Sequence, residues 1–268
     1  NNLNKYTQNM KNIITTAALL VAGTFALNAE TTLVASFDSF TSLTQQSKEG
    51  NNTLKTASDT YNPTINGDGT ITFSNGDNVL FLSSANGNLG SAFGNAGISV
   101  TMTVSNLSFV SGKTNALFTF HTNAEGYNKN IEGVALITGN NLKGIWSGSV
   151  WGSEKNTPVS IAGKNKFTLT LTQTSTTTKL YIDGVHAATW NDLGSGTTAQ
   201  ITQYNIGNTS VGNQGTTMTL HNLYFHSGAL DEAGVRSFYK TQVIPEPSSF
   251  GLLAGLGALA LVGARRRR

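Results

Sequence analysis

The sequence has no cysteine and little charge. Its 268 residues include only four prolines, and charged residues make up 12% of the chain. Without cysteine, the chain has no disulfide framework, no thiolate metal site and no thiol nucleophile. The low content of charged residues also argues against a helical cytosolic enzyme, because such enzymes use more glutamate, lysine and alanine.

What the sequence has instead is 29 glycines and a polarity that comes from Asn, Thr, Ser and Gln, a composition typical of an extracellular β-protein. The formal net charge of +3 arises at the two ends, where Lys5, Lys11 and the arginines from Arg265 to Arg268 supply six of the 17 basic residues. The stretch from Glu30 to Val243 then holds 11 basic and 13 acidic residues. Because this stretch has no basic cluster, we expect no binding of nucleic acid.

The first part of the chain has the pattern of a secretory signal. Met10-Lys11-Asn12 supplies a positive start, residues 13–27 are mostly apolar, and small residues follow. Signal peptides combine these three features in this order. The sequence therefore predicts a signal peptide with an apolar helix over residues 1–29, and cleavage after Ala26 or Ala29.

The last part of the chain combines a short motif, an apolar run and a cluster of arginines. Pro245-Glu246-Pro247 precedes an uncharged run over residues 250–264, which is followed by Arg265, Arg266, Arg267 and Arg268. At about 1.5 Å per residue the run gives roughly 22 Å of helix, short of the roughly 30 Å hydrocarbon core of a bilayer. Flanking serines and snorkelling arginines can extend it, and the arginines favour the cytoplasmic side. The pattern predicts a marginal transmembrane helix with the rest of the chain across the membrane.

This C-terminal pattern resembles the PEP-CTERM sorting signal of Gram-negative bacteria. In that signal a Pro-Glu-Pro motif, one hydrophobic helix and an arginine-rich end follow one another, as residues 244–268 do here. The resemblance implies recognition by an exosortase, a membrane cysteine protease-transpeptidase, with processing near Pro245-Glu246-Pro247. It also implies a membrane-anchored precursor at the inner membrane and delivery to the cell surface or extracellular matrix. An ordinary C-terminal anchor is the alternative.

Between the two ends, alternating or apolar stretches recur with turn residues between them. Asp183-Gly184 lies between two such stretches and is a strong signal for a tight hairpin. One helix is predicted over residues 231–240, with Asp231 as its N-cap and Val235, Phe238 and Tyr239 on one apolar face. The regular spacing predicts an all-β antiparallel sandwich. Strands are expected over residues 32–40, 71–73, 98–104, 116–121, 133–138, 143–146, 166–173, 178–182, 186–190, 200–206 and 217–226.

Residues 30–243 resemble the laminin G-like, concanavalin A-like jelly roll. Residues 33–40 are similar to its opening strand. Residues 167–190, with Tyr181-Ile182-Asp183-Gly184 at the turn, are similar to its central hairpin. Residues 220–239, with Ala229-Leu230-Asp231-Glu232-Ala233, are similar to its closing strand and short helix. The resemblance implies a jelly-roll fold and a general habit of binding glycans or extracellular proteins, and it carries over no particular site.

No catalytic cluster is recognisable in this middle part. Some relatives of the fold hydrolyse β-glucans with carboxylates at alternate positions of one strand, and no two carboxylates here have that spacing. Glu125 and Glu132 are the nearest candidates, together with His121, and we expect the two glutamates to border a loop. The chain is therefore predicted to be non-enzymatic, with an unusual glycoside hydrolase as an alternative.

A metal site is equally hard to place. Asp38, Asp59 or Asp192 could contribute to a loop site for Ca²⁺, but no spacing selects one of them. The oxygen spacing that begins at Asn66 mimics an EF-hand loop, yet its sixth position holds Ile71 where Gly is needed, which favours hairpin turns. The histidines are scattered in predicted strands, where surface or hydrogen-bonded positions are expected: His121, His186, His221 and His226. We predict no resident cofactor and leave calcium open.

Trp146 and Trp151 are the candidate ligand-binding residues. They lie in a segment rich in glycine and serine, residues 144–152, so exposed rings could stack on the apolar face of a sugar. The alternative is that both rings cover the edge of the sandwich. Trp190, by contrast, is predicted to lie in the core.

The sequence thus favours an exported, exosortase-sorted protein of the cell envelope or extracellular matrix, with a non-catalytic jelly roll that binds a polysaccharide or exopolysaccharide. Two further hypotheses remain. One is a structural surface or matrix component that associates with itself and has no specific ligand. The other is the unusual glycoside hydrolase.

Overall fold

The structure is a computed structural model of the chain. It describes residues 31–50, 52–56, 62–74, 80–84, 97–109, 115–121, 129–137, 140–148, 158–174, 177–191, 203–207 and 216–243. The chain divides into two compact units, residues 1–31 and residues 32–268, and all described strands and helical segments lie in the second. The predicted signal peptide and transmembrane helix lie outside the described residues.

The described residues form fifteen strands. In chain order they are β1 (Thr32–Phe37), β2 (Asn52–Thr56), β3 (Thr64–Ile65), β4 (Ile71–Phe73), β5 (Leu80–Ser84), β6 (Ile98–Ser108), β7 (Ala116–His121), β8 (Lys129–Ile137), β9 (Asn141–Gly148), β10 (Val159–Ser160), β11 (Lys166–Gln173), β12 (Thr177–Ile182), β13 (Val185–Asn191), β14 (Gln203–Ile206) and β15 (Thr217–Ser227). One helix, α1 (Glu232–Phe238), follows and continues as a π-helical turn over Tyr239–Val243.

These strands form two antiparallel sheets. Sheet A has the order β13-β12-β11-β6-β15-β4-β3, and sheet B has the order β10-β9-β8-β7-β14-β5-β2. In sheet A, β15 pairs with β6 along one edge, and with β4 and then β1 along the other. The register of β6 and β15 shifts twice, which gives each strand a bulge. The predicted antiparallel β-sandwich is confirmed in this coarser form, as a mostly-β arrangement of two sheets.

The core lies between the two sheets and is built around aromatic rings. Phe118 of β7 and Tyr204 of β14 belong to sheet B, and Phe225 of β15 belongs to sheet A. The ring centroid of Phe225 lies 6.1 Å from that of Phe118 and 5.1 Å from that of Tyr204. All three side chains are fully buried, as is the predicted core residue Trp190 at 2% exposure. These contacts across the sandwich hold the sheets together.

The other face of sheet A, here called the outer face, carries hydroxyl groups. Thr101 and Thr103 of β6 stand opposite Thr170 and Thr168 of β11. Their Oγ1 atoms form hydrogen bonds of 2.9 Å between Thr101 and Thr170, and 2.8 Å between Thr103 and Thr168. All four side chains are buried. The strand predicted over residues 166–173 is confirmed as β11, and its threonines lie on a buried face.

Helix α1 covers part of the outer face. The carboxylate of Asp231 accepts a hydrogen bond of 2.7 Å from the amide of Gly234, so the predicted N-cap is confirmed. Val235 packs with Tyr181 of β12 in a small apolar cluster. The ring of Phe238 meets the outer face edge-on. The helix therefore forms in the predicted segment, and its apolar face is buried against sheet A.

The hairpin between β12 and β13 turns at Asp183 and Gly184, as predicted. Both residues have positive φ, 53° and 75°, a combination that tight hairpins need and that Asp-Gly provides. The carboxylate of Asp183 also accepts hydrogen bonds from the amide of Thr168 at 2.9 Å and from the ammonium of Lys164 at 2.6 Å. The turn that begins at Asn66 likewise joins two strands, β3 and β4, which agrees with the expected hairpin.

Several strands escaped prediction. β2 has one large apolar residue, Leu54, and β3 and β10 have only two residues each, too few for a period to be recognised. β8 begins at Lys129, earlier than expected, and the first strand ends at Phe37 because the chain bends at Asp38. Strand formation also depends on pairing with neighbouring strands. These stretches therefore form strands that their local sequence pattern does not predict.

Candidate functional site

The predicted ligand-binding segment lies in sheet B. Trp146 is in β9, where it stands opposite Glu132 of β8 in the register. Glu132 in turn stands opposite Phe120 of β7. The strand predicted over residues 143–146 therefore forms, and pairing with β8 extends it through glycines and serines as far as Gly148, whereas Glu132, expected to border a loop, lies within β8. Trp151 and Glu125 lie outside the described residues.

The four histidines lie in strands, as predicted, and in separate places. His121 ends β7, His186 lies in β13, and His221 and His226 lie in β15. His186 forms a hydrogen bond of 2.8 Å with the hydroxyl of Thr189. Within the described residues, no group of three or more His, Asp and Glu side chains could hold a metal ion.

Asp38, one of the predicted calcium ligands, belongs to a polar cluster beside β1. We call this set of residues the β1 cluster: Ser36, Asp38, Lys48, Glu49 and Tyr224. The Asp38 carboxylate forms an ion pair with Lys48. Both carboxylate oxygens of Glu49 accept hydrogen bonds of 2.6 Å from Ser36, one from its amide and one from its hydroxyl. These bonds hold the segment after β1 against the strand. Asp59 and Asp192, the other predicted ligands, lie outside the described residues.

Burial, charge and hydrogen bonds in the β1 cluster shift the pKa values of Asp38 and Tyr224. Burial raises the pKa of Asp38, but hydrogen bonds from Lys48 and Tyr224 outweigh burial and leave that pKa below its ordinary value. Burial also raises the pKa of Tyr224 well above its ordinary range, and the neighbouring Asp38 raises it further. The carboxylate thus stays charged and the phenol stays neutral, which is the arrangement of a stable structural pair.

His226 lies under helix α1. Its side chain is 4% exposed, and its ring meets the ring of Phe238 edge-on with centroids 4.5 Å apart. Its Nδ1 atom is buried without a hydrogen-bond partner. Burial lowers the pKa of His226 to about 4, against a smaller opposing effect of Glu49. The imidazole is therefore neutral at physiological pH, and its burial depends on the helix above it.

Another histidine, His221, lies within hydrogen-bonding distance of a serine. The Oγ atom of Ser105 is 2.8 Å from Nε2 of His221, at the two bulges of β6 and β15. Burial lowers the pKa of His221, Lys166 lowers it further, and Asp68 acts in the opposite direction. The Asp68 carboxylate, however, accepts hydrogen bonds from the amide and hydroxyl of Thr70, at 3.0 and 2.7 Å. The pair therefore lacks the carboxylate hydrogen bond that orients the base of a hydrolytic triad.

Neither of these arrangements was predicted. Ser105 and His221 are separated by 116 residues, and Ser36 and Glu49 by 13. Bulges and return loops bring such residues together, and a single sequence carries no signal of either. The polar residues of β15 are evident in the sequence, but their burial is not.

The predicted sorting motif and arginine cluster lie outside the described residues, which end at Val243 with the π-helical turn. No helix within the described part of the chain has the length and apolar character needed to cross a membrane.

Comparison with protein families identifies the C-terminal segment. A sequence model of the PEP-CTERM protein-sorting motif matches residues 243–268. The match contains the predicted motif Pro245-Glu246-Pro247 and the arginines from Arg265 to Arg268, and it confirms the predicted sorting signal. The motif implies export with a C-terminal membrane anchor that is processed by exosortase. No curated protein matches the sequence.

Several solved structures share the fold. Trypanosoma rangeli sialidase is 17% identical over 81% of this chain, with a TM-score of 0.59, and the chain spans only 34% of its length. Domain 4 of AbnA, a GH43 extracellular arabinanase from Geobacillus stearothermophilus solved with arabinotriose, is 16% identical, with a TM-score of 0.56, over 79% of this chain and 100% of that domain. The binding domain of botulinum neurotoxin DC, solved with rat synaptotagmin II, is 14% identical over 78% of this chain and 51% of its own length, with a TM-score of 0.54. At these identities the likeness concerns the fold alone.

Proposed function

We propose that this protein is an exosortase-sorted component of the cell envelope or extracellular matrix whose sandwich is a non-catalytic, glycan-binding jelly roll of the laminin G-like, concanavalin A-like kind. The observation that carries the proposal is the joining of a PEP-CTERM motif at residues 243–268 to a sandwich that matches the whole of domain 4 of an arabinanase. That domain was solved with a trisaccharide bound, which supports a glycan as the ligand class.

Three observations support a non-catalytic role. The carboxylate of Asp38 is held by Lys48, that of Glu49 by Ser36, and that of Asp183 by Lys164 and the turn. A general acid or nucleophile needs a carboxylate free to face a substrate. Glu132 is the only carboxylate in β8, so no second carboxylate lies two residues away on the same face of that strand.

The ligand site is proposed at Trp146 and Trp151. Trp146 lies near the end of β9, three residues after Lys143, and Trp151 follows five residues later along the chain. Aromatic rings suit sugars because the ring face is apolar while its surroundings can donate hydrogen bonds.

The test is glycan binding by the purified protein on a broad polysaccharide panel that includes arabinan oligosaccharides, with and without EDTA. Saturable binding is expected, weakened roughly tenfold or more by Trp146→Ala or Trp151→Ala. The matched control is Phe109→Ala, because Phe109, the residue after the end of β6, is an aromatic residue with 43% exposure. Binding to no sugar, or equal losses in all three variants, would contradict the proposal.

The sorting route has its own test. Replacing Pro245 and Pro247 with alanine is expected to leave an unprocessed precursor in the membrane, whereas the native chain reaches the surface. Unchanged surface delivery after removal of residues 245–268 would contradict exosortase sorting. A hydrolase is tested by activity on the same polysaccharides, with Glu125→Gln and Glu132→Gln as variants, and no activity is expected.

A self-associating structural component is the second candidate function. It is favoured by edge strand β13, which carries no charged residue and exposes Val185 at 61%. Edge strands without charges are prone to pair with other chains. Concentration-dependent assembly without sugar binding would favour this function over glycan binding.

A further inference from the structure

The helical segment before the sorting motif is tied to sheet A at several points. The hydroxyl of Ser99 donates to the carbonyl of Gly228 at 2.9 Å and accepts from the amide of Leu230 at 2.7 Å. Leu230 and Val235 then pack on Tyr181. Because Ser99 is itself fully buried in β6, the start of the segment is anchored to the centre of the sheet.

The end of the segment is held by two aromatic residues. The Phe238 ring lies 5.1 Å from that of Tyr224 and 4.5 Å from that of His226, both nearly perpendicular to it. Tyr239 lies over the β12–β13 turn, so closely that a Cβ at Gly184 would come within 2.9 Å of its ring. Edge-to-face pairs of this kind add to the burial of the rings. The segment is thus docked as far as Tyr239, whereas Lys240, Thr241 and Gln242 are exposed.

The docked segment runs directly into the sorting motif. The family match begins at residue 243, the last residue of the π-helical turn, and Pro245 follows two residues later. From Tyr239 to Pro245 the chain can reach at most about 20 Å, and less while the turn stays coiled. Only residues 240–244 therefore separate the docked residues from the motif where processing is expected.

A protease acts on backbone that is extended and accessible, and a docked helix offers neither. When opening is faster than cleavage, cleavage follows the fraction of molecules in which the segment is locally open. Phe238 and Tyr239 determine that fraction here, because their contacts are lost when the segment opens.

We propose that docking of α1 on the outer face of sheet A controls exosortase processing, so that the enzyme acts on molecules in which residues 232–243 have undocked. Phe238 is the main positioning residue of this control. The inference rests on the proposed sorting function, since it concerns the access of the same enzyme to the same motif.

The experiment is a pulse-chase of the full chain in cells that contain the exosortase, following conversion of precursor to processed protein. Phe238→Ala is expected to speed conversion by about tenfold, because it removes two ring contacts. Ser237→Ala is the matched control, since Ser237 is the exposed neighbour on the same helix and should convert at the native rate. Hydrogen exchange should show faster exchange over residues 232–243 in Phe238→Ala, with β6 and β15 unchanged.

A second variant leaves the packing intact. A Gly-Ser linker of about six residues after Val243 adds roughly 20 Å of reach and should also speed conversion while α1 stays protected from exchange. Equal rates for Phe238→Ala, the linker variant and Ser237→Ala would overturn the control by docking and leave sorting intact. Failure of every variant and of the native chain to be processed would overturn the sorting function and the inference together.

Discussion

The two faces of sheet A are both buried, but by different means. On the inner face, Phe225 packs against Phe118 and Tyr204 of the opposite sheet. On the outer face, Thr101 and Thr170 bond to each other, and helix α1 covers the part around Tyr224 and His226. The inner face is stabilised by apolar burial, and the outer face by paired hydroxyl groups together with the aromatic contacts of α1.

This difference shows what alternation along a strand does and does not reveal. It separates two chemistries, apolar and hydroxyl, and so predicts which residues share a face. It does not tell which face meets water, because a buried hydroxyl is stable once it is paired. The two faces should therefore differ in which substitutions destabilise the fold. On the inner face the damaging change is loss of side-chain volume, and on the outer face it is loss of a hydrogen-bond partner or a change of charge.

The largest effect is expected on the inner face. Phe225→Ala should lower the free energy of unfolding by about 3–5 kcal/mol, because it removes a fully buried ring and leaves a cavity between the sheets. Urea unfolding followed by far-UV circular dichroism measures this. Phe109→Ala, at an exposed aromatic residue, should change the same free energy by less than about 0.5 kcal/mol. Similar losses for the two variants would contradict the assigned core.

The outer face should instead respond to pH through His226. Its pKa is lowered to about 4 in the folded protein from an ordinary 6.5, so the unfolded chain binds a proton between these values that the folded chain does not. The stabilisation is therefore complete above pH 6.5 and is lost as the pH falls towards 4. The loss should reach about 3 kcal/mol.

The measurement is urea unfolding at several pH values between 7.5 and 4. His226→Gln should flatten the dependence in this range, since it keeps a polar side chain but removes the titration. Asp38, whose pKa is lowered, contributes only at more acidic pH, whereas His221, whose pKa is also lowered, contributes with the same sign and leaves a weaker dependence in His226→Gln. An equally steep dependence in His226→Gln would show that the outer face does not hold a neutral histidine.

The sequence predicted the parts of this fold that are set locally. The hairpin at Asp183-Gly184 follows from the positive φ that both positions need, and the cap at Asp231 from its bond to a free amide. The inward row of β11 follows from period-two alternation. The sorting motif was recognisable for another reason, since it is linear and needs no folding to be recognised.

The features that the sequence did not predict depend on residues far apart in the chain. The burial of the threonines on the outer face, the Ser105–His221 hydrogen bond and the docking of α1 all join segments separated by tens of residues. Glu132 was expected to border a loop, but the register of β8 with β9 places it within a strand. The ligand site stays a prediction, since Trp151 lies outside the described residues.

A smaller effect should separate pairing from polarity on the outer face. Thr101→Val or Thr170→Val alone should cost about 1–2 kcal/mol, because each leaves the other hydroxyl buried without its partner. The double variant should cost less than the sum of the two, since it leaves no orphaned hydroxyl. A double-mutant cycle by urea unfolding measures this coupling. Additive losses would mean that the hydroxyls find other partners and that the pair does not stabilise the face.

The smallest effect concerns the cover on the outer face. Asp231→Ala should cost about 1 kcal/mol, because the amide of Gly234 loses its acceptor at the start of α1. Asp231→Asn should stay within a few tenths of the native value, since asparagine caps equally well. Hydrogen exchange should place the loss in residues 232–243 and leave the amides beside Phe225 unchanged. If exchange rises equally beside Phe225, the helix supports both faces of sheet A, and their separation into two independently stabilised surfaces is wrong.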